Sequence, residues 1–434
     1  MRFQIYFMFF ADFHLHSKYS RATSPDMDLE HLNFWARVKG IQLISTGDFT
    51  HPKWFRELSE KLEPAETGLF TLKKKYEKKE LAKVPYILPS GKSTRFILTT
   101  ELSAIYSQNG KVYRIHHLIF APSLDAAEKI NRDLGSEFNL KSDGRPILGL
   151  NSKDLVRRIL NISSECIIVP AHIWTPWFSL FGSRSGFDSL EECYGEYAKN
   201  IYVAETGLSS DPAMNWQVGA LDCITLISNS DAHSPRKIGR EANAFNAKMS
   251  YNEIKRILKT KDKNKFLFTI EFFPEEGKYH YDGHSSCNIS LAPKESKAKN
   301  NLCPVCRRAL TIGVLHRVDD LADRPLGFKP QNSIPFKNLI PLEEIIADVL
   351  DFGVNTQAVQ KKYFELIRTH SNELEILLNT PVEILSRTTT PEIARAIINS
   401  RAGKVEIKPG YDGVYGIIKV QRPRVKVKKQ EKLF

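Results

Sequence analysis

An acid followed by two alternating histidines stands near the start of the chain, in Asp12-Phe13-His14-Leu15-His16. Positions two apart in an extended chain share a face, so both imidazoles can aim at one point. Similar donors recur just past, or opening, short apolar runs. These are Asp48 and His51 in Thr46-Gly47-Asp48-Phe49-Thr50-His51, Glu101 after Thr100, His172 in Pro170-Ala171-His172, and the alternating pair Asp231 and His233. His117 opens another run; His116 is its neighbour, but His117 directly precedes Leu118-Ile119-Phe120 and is the preferred donor. Imidazole nitrogens and carboxylate oxygens suit Zn, Mn, Fe or Mg. A cluster of such ions activates water and polarises a phosphoryl ester. Glu101 can bridge two ions through its two oxygens, and Asp48 or Asp231 can also take the nucleophile's proton. Neutral imidazoles are needed to bind metal, so activity is expected to fall below about pH 6.

A second constellation is H-x2-C-x15-C-x2-C, formed by His284, Cys287, Cys303 and Cys306. Two short knuckles separated by a spacer are the spacing of a structural zinc site. His280 competes for the fourth place, but Gly283 sets a tight turn just before His284. Cys166, Cys193 and Cys223 occur singly and read as core residues, and six cysteines in 434 residues do not suggest a disulfide scaffold. A third group is aromatic: Trp174, Trp177, Phe178 and Phe181, followed by Arg184, could stack on a base and pair with phosphate, or could simply roof the site.

The elements that must position these groups alternate. Ile41–Ser45, Phe96–Thr99, His117–Phe120, Cys166–Val169, Ile201–Ala204 and Ile224–Ser228 read as strands. Asp28–Lys39, Leu124–Arg132 and Ser152–Leu160 read as helices. Strand and helix in alternation give an α/β fold with a mainly parallel sheet. In such folds reactive groups gather where strands end. The expected units are residues 1–273 around the metal donors, 274–325 around the cysteine knuckles, and 326–434. The last has helices at Leu342–Leu350, Val359–Arg368, Glu373–Leu378 and Glu392–Asn399, then a turn-rich hairpin after Pro409.

Composition sets the frame: 42% hydrophobic, 26% charged and 10% aromatic residues describe an ordinary globular chain. The apolar stretch Ile5–Ala11 is far too short to span a bilayer, and no signal-peptide pattern follows it, so a cytoplasmic protein with no membrane partner is expected. Sixty-two basic against fifty acidic residues give a net charge of +12, which favours a polyanionic partner such as nucleic acid. The basic charge is dense from Gln421 to Phe434, whose last five residues, Gln430 to Phe434, resemble a truncated sliding-clamp-binding peptide.

The order D-x-H-x-H, acid, Glu, strand-opening His, isolated His and terminal S-D-A-H resembles the PHP (polymerase and histidinol phosphatase) metallohydrolases over about the first 270 residues. The strings from Pro170 to Trp177, from Glu205 to Pro212 and from Asn229 to Pro235, with the knuckles and Gly313 to Arg324, resemble the endonuclease Q family over nearly the whole chain. The resemblance implies a distorted (β/α)7 barrel with two or three divalent ions. It also implies hydrolysis of duplex DNA 5′ to hypoxanthine, uracil or xanthine, or at abasic sites. Its implied ligands are His14, His16, Glu101, His117, His172, Asp231 and His233, with Asp48 next. Phe49 stands where the superfamily carries a histidine, which leaves open whether His51 replaces it. Ser209, Ser210 and Asn215 are implied contacts to an extruded base. A phosphatase acting on small phosphomonoesters and a non-catalytic DNA-binding factor are the alternatives.

Overall fold

The computed structural model describes residues 8–82, 84–89 and 93–421. The basic tail beyond Gln421 and the clamp-like peptide lie outside the described residues. Among the described residues no helix is long and apolar enough to cross a membrane.

The architecture is mixed α/β. The first twelve strands are β1 (Met8–Asp12), β2 (Leu43–Ser45), β3 (Leu62–Pro64), β4 (Phe70–Leu72), β5 (Arg95–Gln108), β6 (Lys111–Ala121), β7 (Ile147–Leu148), β8 (Ile167–Pro170), β9 (Val203–Glu205), β10 (Thr225–Ile227), β11 (Ala242–Asn246) and β12 (Phe266–Glu271). One continuous run of pairing reads β12-β11-β1-β2-β5, with β6 and then β8 beyond β5, and β9 pairs with β10. Alternation divides the side chains. Phe9, Leu43, Ile97, Leu118, Phe120, Val169, Val203, Ile227, Phe245 and Phe266 meet in one apolar cluster, so strands from both halves of the domain wall a common interior. Their neighbours Phe10, Ile44, Phe96, Ile119, Ile168, Ala204 and Ala244 belong to a second cluster shared with helices such as Leu29–Lys39.

The sheet is not mainly parallel. β1/β2, β2/β5 and β9/β10 are parallel, but β1/β11, β11/β12, β5/β6 and β6/β8 are antiparallel. The cause at β5/β6 is local: Asn109 and Gly110 both hold positive φ (51° and 76°), the two-residue turn that reverses a hairpin. Helices start where the sequence caps them; Asp28, Ser123 and Asn151 each accept a backbone N–H of the first turn.

After β12 come the hairpin β13 (Asp282–His284) and β14 (Ile289–Leu291), which carries the first knuckle, the turn between Leu302 and Ala309, which carries the second, and then β15 (Phe336–Asn338), which returns to pair with β12. The C-terminal helices Leu342–Leu350, Gln357–His370, Glu373–Leu378, Val382–Thr388 and Pro391–Arg401 precede a hairpin of β16 (Val405–Lys408) and β17 (Ile417–Val420). The helix Val382–Thr388 was not expected.

A buried ion pair fastens these helices to the first unit. Lys39 Nζ lies 2.6 Å from Glu373 Oε2, which also accepts the Tyr363 hydroxyl at 2.6 Å, while Oε1 accepts Leu342 N at 3.0 Å. Both charged side chains are almost wholly enclosed. Lys39→Met would strand a carboxylate in the core and is expected to cost about 3–5 kcal/mol, read from the midpoint of urea unfolding.

Candidate metal centre

The donors converge at the strand ends. Past β1, Leu15 forms a parallel bridge with Ala232, which brings the first histidine pair beside Asp231. The His14 and His16 rings lie 5.4 Å apart. His16 Nε2 is 3.0 Å from Asp231 Oδ1 and 3.3 Å from Glu101 Oε2, and His14 Nε2 is 3.7 Å and 3.6 Å from the same two oxygens. The other Glu101 oxygen, Oε1, faces a second group: His116 Nδ1 at 2.7 Å and His172 Nε2 at 3.1 Å. His14, His16 and Asp231 thus form one potential ion site, Glu101, His116 and His172 another, and Glu101 touches both.

Carboxylates behind the imidazoles fix which nitrogen is free. Glu205 holds His14 Nδ1, with both oxygens at 3.0 Å, and also accepts His172 N and the Asn229 amide. Asp48 Oδ1 lies 3.1 Å from His16 Nδ1, while Oδ2 accepts Ser17 N, Ser17 Oγ and Ser20 Oγ. Each imidazole is therefore held with Nε2 toward the cavity. His14 Nε2 is buried without a hydrogen-bond partner. An enclosed acceptor left open beside two carboxylates fits a cation.

Burial penalises charge on these imidazoles, yet Glu205, Asp231 and Glu101 hold the His14 pKa well above its ordinary value, and Asp48 does so for His16. The carboxyls of Glu101 and Asp231 are depressed in turn, against the rise that burial alone would give. Backbone strain gathers here too. Asp48, His172 and Asp231 sit at φ of 47°, 32° and 47°, a region non-glycine residues seldom occupy. At Gly207, also at positive φ, a Cβ would stand 2.4 Å from His172 Cβ, so the chain after β9 needs glycine to approach that imidazole.

Several expected residues stand elsewhere. His117 is not at the cavity. Its ring lies against Tyr194, both its nitrogens are buried without partners, and burial pushes its pKa down to about 3. Pleat parity explains this: position 116 shares a face with Leu118 and Phe120, which point inward, whereas 117 goes with Ile115 and Ile119. His51 is not among the donors that converge in these groups. It precedes the helix Pro52–Lys61 and stacks on Tyr19 at 4.4 Å, while Phe49 is in the core. Asp48 lies behind His16 with both oxygens engaged. His233 sits at the rim, its ring 4.5 Å from that of His16 and its side chain about one-third exposed.

Among the aromatics, Trp174 is wholly buried and donates to Asn215 Oδ1, and Phe181 packs on it. Neither can stack on a base. Ser210 and Asn215 are enclosed and bonded to each other, while Ser209 is half-buried. Trp177 and Phe178 remain half-exposed and Arg184 exposed; the Phe178 ring lies 4.9 Å from His116. Glu205 and Arg145 were not singled out. Glu205 ends β9 as Glu101 interrupts β5, an acid among apolar strand residues, and that was the available signal.

The ligating atoms of His284, Cys287, Cys303 and Cys306 all lie within 4.8 Å of one another. Burial raises the Cys303 thiol, but the N–H groups of Val305 and Cys306 outweigh it and bring the pKa down to about 7. Cys287 goes the other way, pushed up to about 11 by burial and by the neighbouring thiols. His280 is not in this group.

Deeper in, Glu271 is fully enclosed, and burial pushes its carboxyl up to about 8. In the unfolded chain it ionises near 4.5, so between those values the unfolded state has released a proton that the fold retains. This group's contribution to stability therefore falls as pH rises from 4.5 to 8. Glu271→Gln should unfold at a higher urea concentration than the wild type at pH 8 and show no such gain at pH 4.5.

Comparison with solved structures decides the family. A crystal structure of a lesion-specific endonuclease from Pyrococcus furiosus superposes with a TM-score of 0.82 at 30% identity, covering 99% of this chain and 100% of that one. The chain belongs to the endonuclease Q family. Another structure of the family, endonuclease Q in complex with a 27-mer duplex substrate with an abasic lesion at the active site, gives 0.81 at 30% identity over 98% and 100% of the two chains. The uncharacterized protein YqxK of Bacillus subtilis is 29% identical over 88% of this chain and 89% of its own length. The uncharacterized protein MJ0043 of Methanocaldococcus jannaschii is 35% identical over 266 residues, but that stretch is 32% of its length. Residues 341–404 match the MJ0043 C-terminal domain.

Proposed function

We propose that this chain is a metal-dependent DNA repair endonuclease that hydrolyses the phosphodiester 5′ to a deaminated base (hypoxanthine, uracil or xanthine) or to an abasic site. The near-full-length likeness to endonuclease Q, including its complex with an abasic duplex, carries this reading. The strand-walled interior would be a distorted PHP barrel over residues 1–273. Residues 274–325 would form the module held by one zinc ion on His284, Cys287, Cys303 and Cys306, and 326–434 the helical domain.

His14, His16 and Asp231 would hold one ion and His116 and His172 a second, with Glu101 between them. Divalent ions held there would supply an activated water and polarise the phosphoryl oxygens, so no covalent enzyme intermediate would be needed. The chain's own groups do the rest. Glu205 and Asp48 keep both Nε2 atoms forward, and Asp231 is placed to hold a proton of the attacking water. A lesion read through its base edge must leave the stack. Phe178 and Trp177, beside the second group, are the accessible rings to receive or replace it, and Arg184 a phosphate partner. Clamp binding through Gln430 to Phe434 is a separate proposal, tested by deleting those residues and measuring retention on clamp-coupled resin.

Incubation with Mg or Mn and labelled duplexes bearing one deoxyinosine, deoxyuridine or abasic residue should give a nick immediately 5′ to the lesion and none in undamaged duplex. Release of p-nitrophenol from its phosphate without nicking would instead identify a phosphatase. In the same assay His116→Ala should lose more than about tenfold in rate. His117→Leu, which removes two unpartnered buried nitrogens, should stay within about twofold of wild type.

A further inference from the structure

Arg145 stands at the mouth of the cavity with no role in holding ions. Its Nη1 lies 3.1 Å from Glu101 Oε2, the oxygen that also faces His16 Nε2 at 3.3 Å and His14 Nε2 at 3.6 Å. A guanidinium has five donors and no acceptor, so it cannot ligate a metal, and it repels one. An ion seated by the two imidazoles therefore competes for the carboxylate oxygen that Arg145 holds. Once ions are in place, this cation is released from Glu101 and is free to pair with an incoming anion.

The loop presenting Arg145 is built, not incidental. Asp143 Oδ1 accepts the backbone N–H of Arg145 at 3.1 Å and of Arg21 at 3.3 Å, and Gly144 N donates to Tyr19 O at 3.0 Å. Pro146 O accepts Ser103 N at 3.1 Å, which ties the loop to β5. A Cβ on Gly144 would stand 2.3 Å from both Asp48 Oδ2 and Ser20 Oγ, so the loop presses directly on the support of His16. The Arg145 side chain is 28% exposed, so part of it is open to solvent.

We propose that Arg145 binds a non-bridging oxygen of the scissile phosphate, and of the 5′-phosphate that remains on the lesion-bearing fragment. This rests on the endonuclease reading above. In the step it serves, water oxygen bonds to phosphorus, the bond from phosphorus to the 3′ oxygen breaks, and that oxygen keeps the electron pair and takes up a proton. A charged N–H donor on that oxygen suits the negative charge that this displacement builds there.

The test needs no turnover. Metal-loaded protein is titrated with two nicked product duplexes that differ only in a 5′-phosphate or 5′-hydroxyl at the lesion nucleotide, and bound ions are counted in parallel. Wild type should prefer the phosphate. Arg145→Gln should lose about tenfold of that preference with its ions retained, and Arg145→Lys, which keeps a point charge, should lose less. If Arg145→Gln keeps the wild-type preference, or loses its ions together with it, the inference is overturned. Wild type that fails to nick intact lesion duplex in adjoining lanes refutes the endonuclease reading itself, and the inference with it.

Discussion

Glu101→Gln is expected to slow nicking by at least about 10³-fold while leaving affinity for lesion duplex within a few-fold of wild type. The amide keeps the size of the side chain but not its second anionic oxygen, and the two oxygens of Glu101 face different groups: Oε2 looks to His14 and His16, Oε1 to His116 and His172. An amide cannot neutralise two cations, so at least one ion should be lost, and elemental analysis should record it. Affinity should survive because most of the binding energy of such proteins comes from phosphate contacts spread along the duplex. Loss of binding in step with loss of rate would show that Glu101 organises the DNA surface and not the ions.

The second large effect is expected from a residue that need not touch an ion. In Asp48→Asn, the amide must keep an oxygen toward the Ser17 backbone N–H, which lies 2.6 Å from Oδ2. Its NH2 then faces His16 Nδ1 where Oδ1 now stands at 3.1 Å. Two donors cannot share that contact, so the imidazole is driven to carry its proton on Nε2, the nitrogen that should bind the ion. Ion affinity should fall about 10–100-fold. Nicking should recover as Mn is raised, which separates this effect from loss of fold. A rate that no added Mn restores would place Asp48 in the chemistry itself.

Much of the fold could be read along the chain because its signals are local. The helices read from Asp28, Leu124 and Ser152 begin within one residue of those points, and the helices Leu342–Leu350 and Glu373–Leu378 match in both bounds. The knuckles were legible for the same reason, since their spacing alone fixes their geometry. What failed depended on register or on distance. Whether His116 or His117 faces the interior is a one-residue parity question, and β6 begins at Lys111, well before the apolar run that suggested its start. The Asn109-Gly110 dipeptide is the local signal for the antiparallel pairing of β5 and β6, which strand-and-helix alternation does not convey. Glu205 and Arg145 lie 191 and 44 positions from their partners His14 and Glu101, and no local pattern joins them. The buried state of Trp174 and Asn215 is likewise a property of packing that residue type does not announce.

The most direct test of the two-site centre is anomalous diffraction from crystals of the protein grown with Mn. Two peaks are expected on opposite sides of the Glu101 carboxylate, about 3.5–4 Å apart, one beside His14, His16 and Asp231 and the other beside His116 and His172. A single peak that leaves Glu101 unbridged, or density beside His117 or His51, would contradict it.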